Sequence, residues 1–169
     1  MNASPRRDLG AAARLLAALA CAGACLTASA APRSVEAFEP GTWAALQAGL
    51  TQPTAVVFST TDCAHCPAAI DKLTQALRDR KAKAATIVVV MDVAPGDDDD
   101  GLVRHPHHAQ VDRVFAFSGQ AAALRHGVEP RWRGVTPYVM LLRPRSPARA
   151  VTGPPSAADI DAWLKPAER

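Results

Sequence analysis

The sequence predicts an α/β fold organised on a parallel sheet, from three observations. Thr54–Ser59, Ala85–Met91 and Tyr138–Leu142 are short apolar runs rich in β-branched residues, the pattern of strands buried on both faces. Between the first two, Ile70, Leu73 and Leu77 recur at i, i+3 and i+7, with Asp71, Lys72, Gln75, Arg78 and Asp79 on the opposite face. Strand, helix and strand within about forty residues make a βαβ unit, whose pairing is parallel and right-handed.

The other elements follow in order. Ser34–Phe38 is an edge strand. Glu39-Pro40-Gly41 is a turn, Thr42 a helix cap, and Trp43, Leu46 and Leu50 mark a short amphipathic helix over 42–49. Asp92 to Pro106 holds Pro95-Gly96 and the acidic run Asp97–Asp100, and reads as an exposed loop. Four consecutive acids lack the alternating spacing of a calcium loop. Val111–Phe117 is a strand or a strand and turn. Gly119–His126 is helical by propensity, with Gly127 as its stop. Arg131 to Pro137 is a loop. Ala148–Thr152 is a partner strand for Tyr138–Leu142. Ser156 caps a last helix whose apolar face is Ile160, Trp163 and Leu164.

The chain has 169 residues, 49% hydrophobic and 21% charged, enough for one core. Residues 1–30 read as a secretory signal peptide: basic Arg6-Arg7, an apolar stretch from Leu15 to Leu26 too short to span a membrane, and Ala28-Ser29-Ala30 for cleavage. Arg6-Arg7 also loosely resembles a twin-arginine signal. Cys21 and Cys25 follow Ala18 and Ala22, where a lipoprotein site takes a bulky aliphatic residue; lipidation or a retained signal would tether the protein to the membrane. Removal leaves residues 31–169 as one domain of formal charge +1, which asks for no nucleic acid. The expected location is exported, in the periplasm.

The mature chain then has two cysteines, Cys63 and Cys66, directly after the first buried run and before the amphipathic helix. On a helix's first turn such a pair closes a disulfide with little backbone movement. The helix N-terminus favours a thiolate, with Cys63 the more exposed and Cys66 one turn deeper. His65 lowers a thiol pKa, whereas Asp62 raises it. A bridge across two residues removes little loop entropy, so in an oxidising compartment it serves redox chemistry better than it serves as a staple. Cys-x-x-Cys is also half of a zinc site, with His105, His107 and His108 as the candidate partners on the loop.

Cys63-Ala64-His65-Cys66 at a helix start, together with Gly134-Val135-Thr136-Pro137 before a strand, resembles the thioredoxin-like superfamily. Within it the chain is most similar to the exported TlpA/ResA-type thiol–disulfide oxidoreductases, over roughly residues 34–165. The resemblance implies a thioredoxin-like sandwich, a central mixed β-sheet flanked by helices. It implies Cys63 as nucleophile, Cys66 as resolving thiol, a cis Pro137 facing the sulfurs, and Thr136 and Pro137 as substrate contacts. It also implies reduction of protein disulfides without a cofactor, apocytochrome c or copper-site proteins as clients, and a membrane thiol as electron donor. The family's added element would be Asp92–Pro106 with Val111–Phe117. Three departures stand out: Asp62 replaces an aromatic residue, Val57 replaces a buried acid six positions before Cys63, and Ala64-His65 fills the tuning dipeptide.

A second class of function stays open: a thioredoxin-fold copper-binding or copper-delivery protein using Cys63, Cys66 and one of His105, His107, His108 or His126. A peroxidase reading has only the Thr60-x-x-Cys63 half of its signature, since Val56 replaces the required proline.

Overall fold

A computed structural model describes residue 32 and residues 34–165. The signal-peptide reading of residues 1–30, with Cys21 and Cys25, lies outside the described residues. The elements are β1 (Val35–Phe38), α1 (Thr42–Ala48), β2 (Thr54–Ser59), α2 (Cys66–Asp79), β3 (Ala85–Val90), α3 (Asp99–Arg104), a 3-10 turn (His108–Gln110), β4 (Arg113–Phe117), α4 (Ala121–Val128), β5 (Tyr138–Leu142), β6 (Arg149–Thr152) and α5 (Ala157–Leu164). The six strands form one mixed sheet in the order β1-β4-β3-β2-β5-β6. β1, β4, β3 and β2 run parallel, and β5 and β6 are antiparallel to their neighbours. This is the expected α/β sandwich with a central mixed sheet.

Both faces of the sheet are covered, which explains the unbroken apolar runs. Alternate residues of β2 supply two cores. Ala55 and Val57 pack with Ile70 and Leu73 of α2 and with Ile160 and Trp163 of α5. Val56 and Phe58 pack with Phe38, Trp43, Leu124 and Trp132 on the other face. The α5 cap is built as expected: Ser156 Oγ accepts from Asp159 N at 3.1 Å, and Asp159 accepts in return from Ser156 N at 2.9 Å.

Several local expectations are corrected. Thr42 does not cap α1; it is already helical, and its hydroxyl accepts from Glu39 N at 2.9 Å, while Gly41 at φ 95° makes the turn. Gly127 does not stop α4, which runs one residue further to Val128, because Val128 is anchored in the core. The acidic segment is not a bare loop. Asp98 caps α3 by accepting from Gly101 N at 3.2 Å, and Asp99 and Asp100 sit in the first turn, where the helix dipole favours acids. β4 is an interior strand between β1 and β3, with Val114 and Ala116 fully buried. The stretch from 92 to 117 therefore adds a helix, a 3-10 turn and a central strand.

Candidate functional site

The two cysteines lie beyond the carboxyl end of β2. Cys63 N donates to Thr60 O at 3.2 Å, and Cys66 N donates to Cys63 O at 3.2 Å, so consecutive turns carry the chain from strand to helix. The first of these turns is held from β3's side: the Asp92 carboxylate accepts from Thr61 N at 3.0 Å and from Thr61 Oγ1 at 2.6 Å. Cys63 and Cys66 form a disulfide with their Cα atoms 5.4 Å apart.

Only Cys66 belongs to the helix. It is the first residue of α2, His65 is the N-cap, and Cys63 lies two residues further out, which corrects the expectation of both sulfurs on one helical turn. The difference in depth is as expected, since Cys66 is 1% exposed and Cys63 is half-buried. Pro67 sits in the first turn, where its missing N–H costs nothing, so α2 carries no proline in its interior. Asp62 and His65 are both exposed, and neither side chain makes a hydrogen bond or ion pair among the described residues.

A cleft of about 230 Å³ opens beside the disulfide. Its floor is the sheet end at Ser59 and Val90, one wall is Cys63, Cys66 and Ile70, and the other is α3 with His105 and His108. The segment read as a loop from sequence thus builds half of the cleft. Leu102 anchors it by packing into the core that holds Ile70 and Val90.

The three histidines have separate environments. His107 Nδ1 bonds Asp71 Oδ1 at 2.8 Å on α2. His108 is 5% exposed, and its Nδ1 bonds the Leu102 carbonyl at 2.7 Å. Burial pushes the His108 pKa down, the Leu102 bond opposes this, and nearby His105 and His107 push it further down. His105 is exposed, with its ring 4.6 Å from that of His108 and 5.4 Å from that of His107. His126 lies on α4, whose Leu124 and Val128 pack on the opposite sheet face from Leu102. Among the described residues no group of three or more His, Cys, Asp or Glu side chains is arranged to hold a metal ion.

Sheet register brings the second motif to the same end of the sheet as the first, although neither Thr136 nor Pro137 lines the cleft beside the disulfide. Tyr138 pairs with Phe58, so the start of β5 lies at the carboxyl end of β2. The Thr136–Pro137 peptide is cis. Pro137 is buried and its carbonyl accepts from Gly153 N at 2.8 Å, while Thr136 is half-buried. The preceding loop is pinned by Trp132. Trp132 stacks on Tyr138 with centroids 4.5 Å apart, lies 4.9 Å from Phe58, and donates from Nε1 to Val135 O at 3.0 Å. Val135 itself is 56% exposed.

Asp92, Trp132 and the cleft-facing position of His108 were not identified from sequence. An acid directly after a buried strand, in reach of the turn before Cys63, is a signal visible only once β2 and β3 are paired. Among the described residues no helix is long and apolar enough to cross a membrane.

No protein-family model and no curated protein sequence matches this chain. Solved structures do. A secreted Mycobacterium tuberculosis disulfide oxidoreductase homologous to E. coli DsbE is similar at 15% identity and a TM-score of 0.44, covering 72% of this chain and 81% of that one. The dsbF protein of M. tuberculosis is similar at 10% identity and a TM-score of 0.46, covering 69% of this chain and 84% of the other. The N-terminal domain of PilB from N. meningitidis, in its reduced form, is similar at 18% identity and a TM-score of 0.49, covering 67% and 78%.

Proposed function

We propose that this protein is an exported thiol–disulfide oxidoreductase that reduces protein disulfides through the Cys63–Cys66 couple. The carrying observation is the asymmetry of the pair. Both sulfurs sit at a sheet end beside an open cleft, but Cys63 is accessible and Cys66 is buried at the first residue of α2. A nucleophile must reach its target, and a resolving thiol must wait until a mixed disulfide forms.

In the dithiol form, the Cys63 thiolate attacks one sulfur of a substrate disulfide. That disulfide breaks, one substrate thiolate leaves, and a mixed disulfide joins Cys63 to the other sulfur. Cys66, as thiolate, then attacks Cys63 Sγ. The intramolecular disulfide forms and the second substrate thiolate leaves. The protein loses two electrons and the substrate disulfide gains them. An extended substrate segment fits beside Thr136, whose main-chain groups make no hydrogen bond among the described residues. Clients such as apocytochrome c or copper-site cysteines, a membrane thiol donor and a periplasmic location belong to the same reading.

The test is Cys66→Ser, which should accumulate a mixed disulfide through Cys63 with a model disulfide protein such as insulin. Wild-type protein should reduce insulin above the dithiothreitol background, and Cys63→Ser should not. Background rates for the wild type, with no trapped species in Cys66→Ser, would defeat the enzyme reading.

A further inference from the structure

The second step needs a base. Thiols attack as thiolates, yet Cys66 is buried and must shed its proton within the protein before it can act. β2 offers no carboxylate for this, since position 57 is Val57, buried in the core. Asp62 is exposed on the outer turn. Asp98 reaches the cleft, but its carboxylate is committed to capping α3 through Gly101 N.

His108 meets the requirement on three counts. It lines the same cleft as Cys63 and Cys66. Its Nδ1 bonds a carbonyl, which only accepts, so Nδ1 carries the hydrogen of the neutral ring and Nε2 keeps a free lone pair. Among the described residues Nε2 has no partner and no buried side-chain nitrogen is left unpaired, so Nε2 is open to water.

We propose that His108 is the proton acceptor for the Cys66 thiol, receiving the proton across the cleft when Cys66 resolves a mixed disulfide on Cys63. The inference rests on the redox reading above. In the step, the Cys66 S–H bond breaks and its proton passes, directly or over one cleft water, to His108 Nε2. The Cys66 electron pair forms the bond to Cys63 Sγ, and the electrons of the broken Cys63–substrate bond leave on the substrate sulfur. His108 then returns the proton to the leaving thiolate or to solvent through the exposed, neighbouring His105. The charged and titratable groups around His108 are Cys63 and Cys66, Asp98 and His105 of the α3 segment, and His107, itself tied to Asp71. Burial and the two histidines keep the resting ring neutral and able to accept a proton.

The experiment is stopped-flow reaction of the dithiol protein with Ellman's reagent. The first phase of thionitrobenzoate release reports Cys63, and the second reports resolution by Cys66. His108→Asn places an amide N–H where Nδ1 was, keeps a donor for Leu102 O, and removes the base. Expected are an unchanged first phase and a second phase slowed at least tenfold at pH 7, in line with general-base effects of about 10²–10⁴. Its rate should also rise about tenfold per pH unit, as attack through free hydroxide demands, where the wild type is flatter. A purely structural role would not change that slope. A second phase in His108→Asn with wild-type rate and pH profile overturns the inference while leaving the redox reading intact. A second phase that persists in Cys66→Ser overturns the redox reading instead. Should His108→Asn fail to fold, NMR titration of the wild-type imidazoles decides. The His108 midpoint should differ between the dithiol and disulfide forms while that of His126 stays put, and an unmoved His108 overturns the inference.

Discussion

Trp132→Ala should be among the most damaging single substitutions, although Trp132 lies outside every helix and strand. Its side chain is 8% exposed, between Phe58 and Tyr138. A buried aromatic of this class removes about 150–250 Å² from water. At about 25 cal/mol per Å² that is about 4–6 kcal/mol. An unfolded chain already buries part of this area, so the figure is an upper bound. Truncations of core Trp and Phe cost about 3–5 kcal/mol, and that is the expected loss here. Trp132→Phe keeps a ring between the same neighbours and loses the Nε1–H bond to Val135 O, at about 1 kcal/mol. The assay is guanidinium unfolding of the disulfide form followed by circular dichroism, in which Trp132→Ala should move the midpoint down by roughly 1 M. The loop that Trp132 pins carries Thr136, so insulin reduction should also weaken more in Trp132→Ala than in Trp132→Phe. A loss under about 1.5 kcal/mol for Trp132→Ala, or equal losses for the two variants, would show that this slab is not what holds the loop.

Three further outcomes are expected. Asp62→Ala should lower the Cys63 thiol pKa and make the couple more oxidising, and His65→Ala should do the reverse. Thiolate absorbance against pH and equilibration with glutathione measure both, and shifts of the same sign would refute the electrostatic account. Asp92→Ala removes the acceptor of Thr61 N and Thr61 Oγ1, and should cost about 1 kcal/mol and speed alkylation of Cys63 in the dithiol form. Asp92→Asn, which keeps one acceptor oxygen, should fall between it and the wild type. Asp159 is held below the usual carboxylate range by the Ser156 hydroxyl, then by Ser156 N and by Arg149. Its contribution is present above the ordinary Asp pKa and is lost as pH falls through the lower folded value. Ser156→Ala should lower the unfolding midpoint at pH 7 through the lost cap and flatten the acid limb of the stability curve.

The sequence alone determined the parts whose physics is local or periodic. β2, β3 and β5 were legible because strands buried on both faces are apolar through their middles, whatever their neighbours. α2 and α5 were legible from helical spacing and, for α5, from the Ser156–Asp159 capping box. Cys63 and Cys66 were legible because a two-residue gap brings two sulfurs within bonding reach without help from distant chain. The tertiary structure decided everything that depends on segments far apart in sequence. β4 has the same apolar character as an edge strand, and only pairing on both sides makes it interior. Trp132 sits in a loop whose sequence shows no period, and becomes core because β5 brings Tyr138 beside Phe58. The acids at 97–100 look like a solvated run until α3 forms, and α3 is worth forming because Leu102 can bury itself against α2 and the sheet. That burial also brings His108, forty-two positions from Cys66, to the wall facing the disulfide. Local propensity carries no information about such an approach, because its free energy comes from contacts that exist only after the chain has closed on itself.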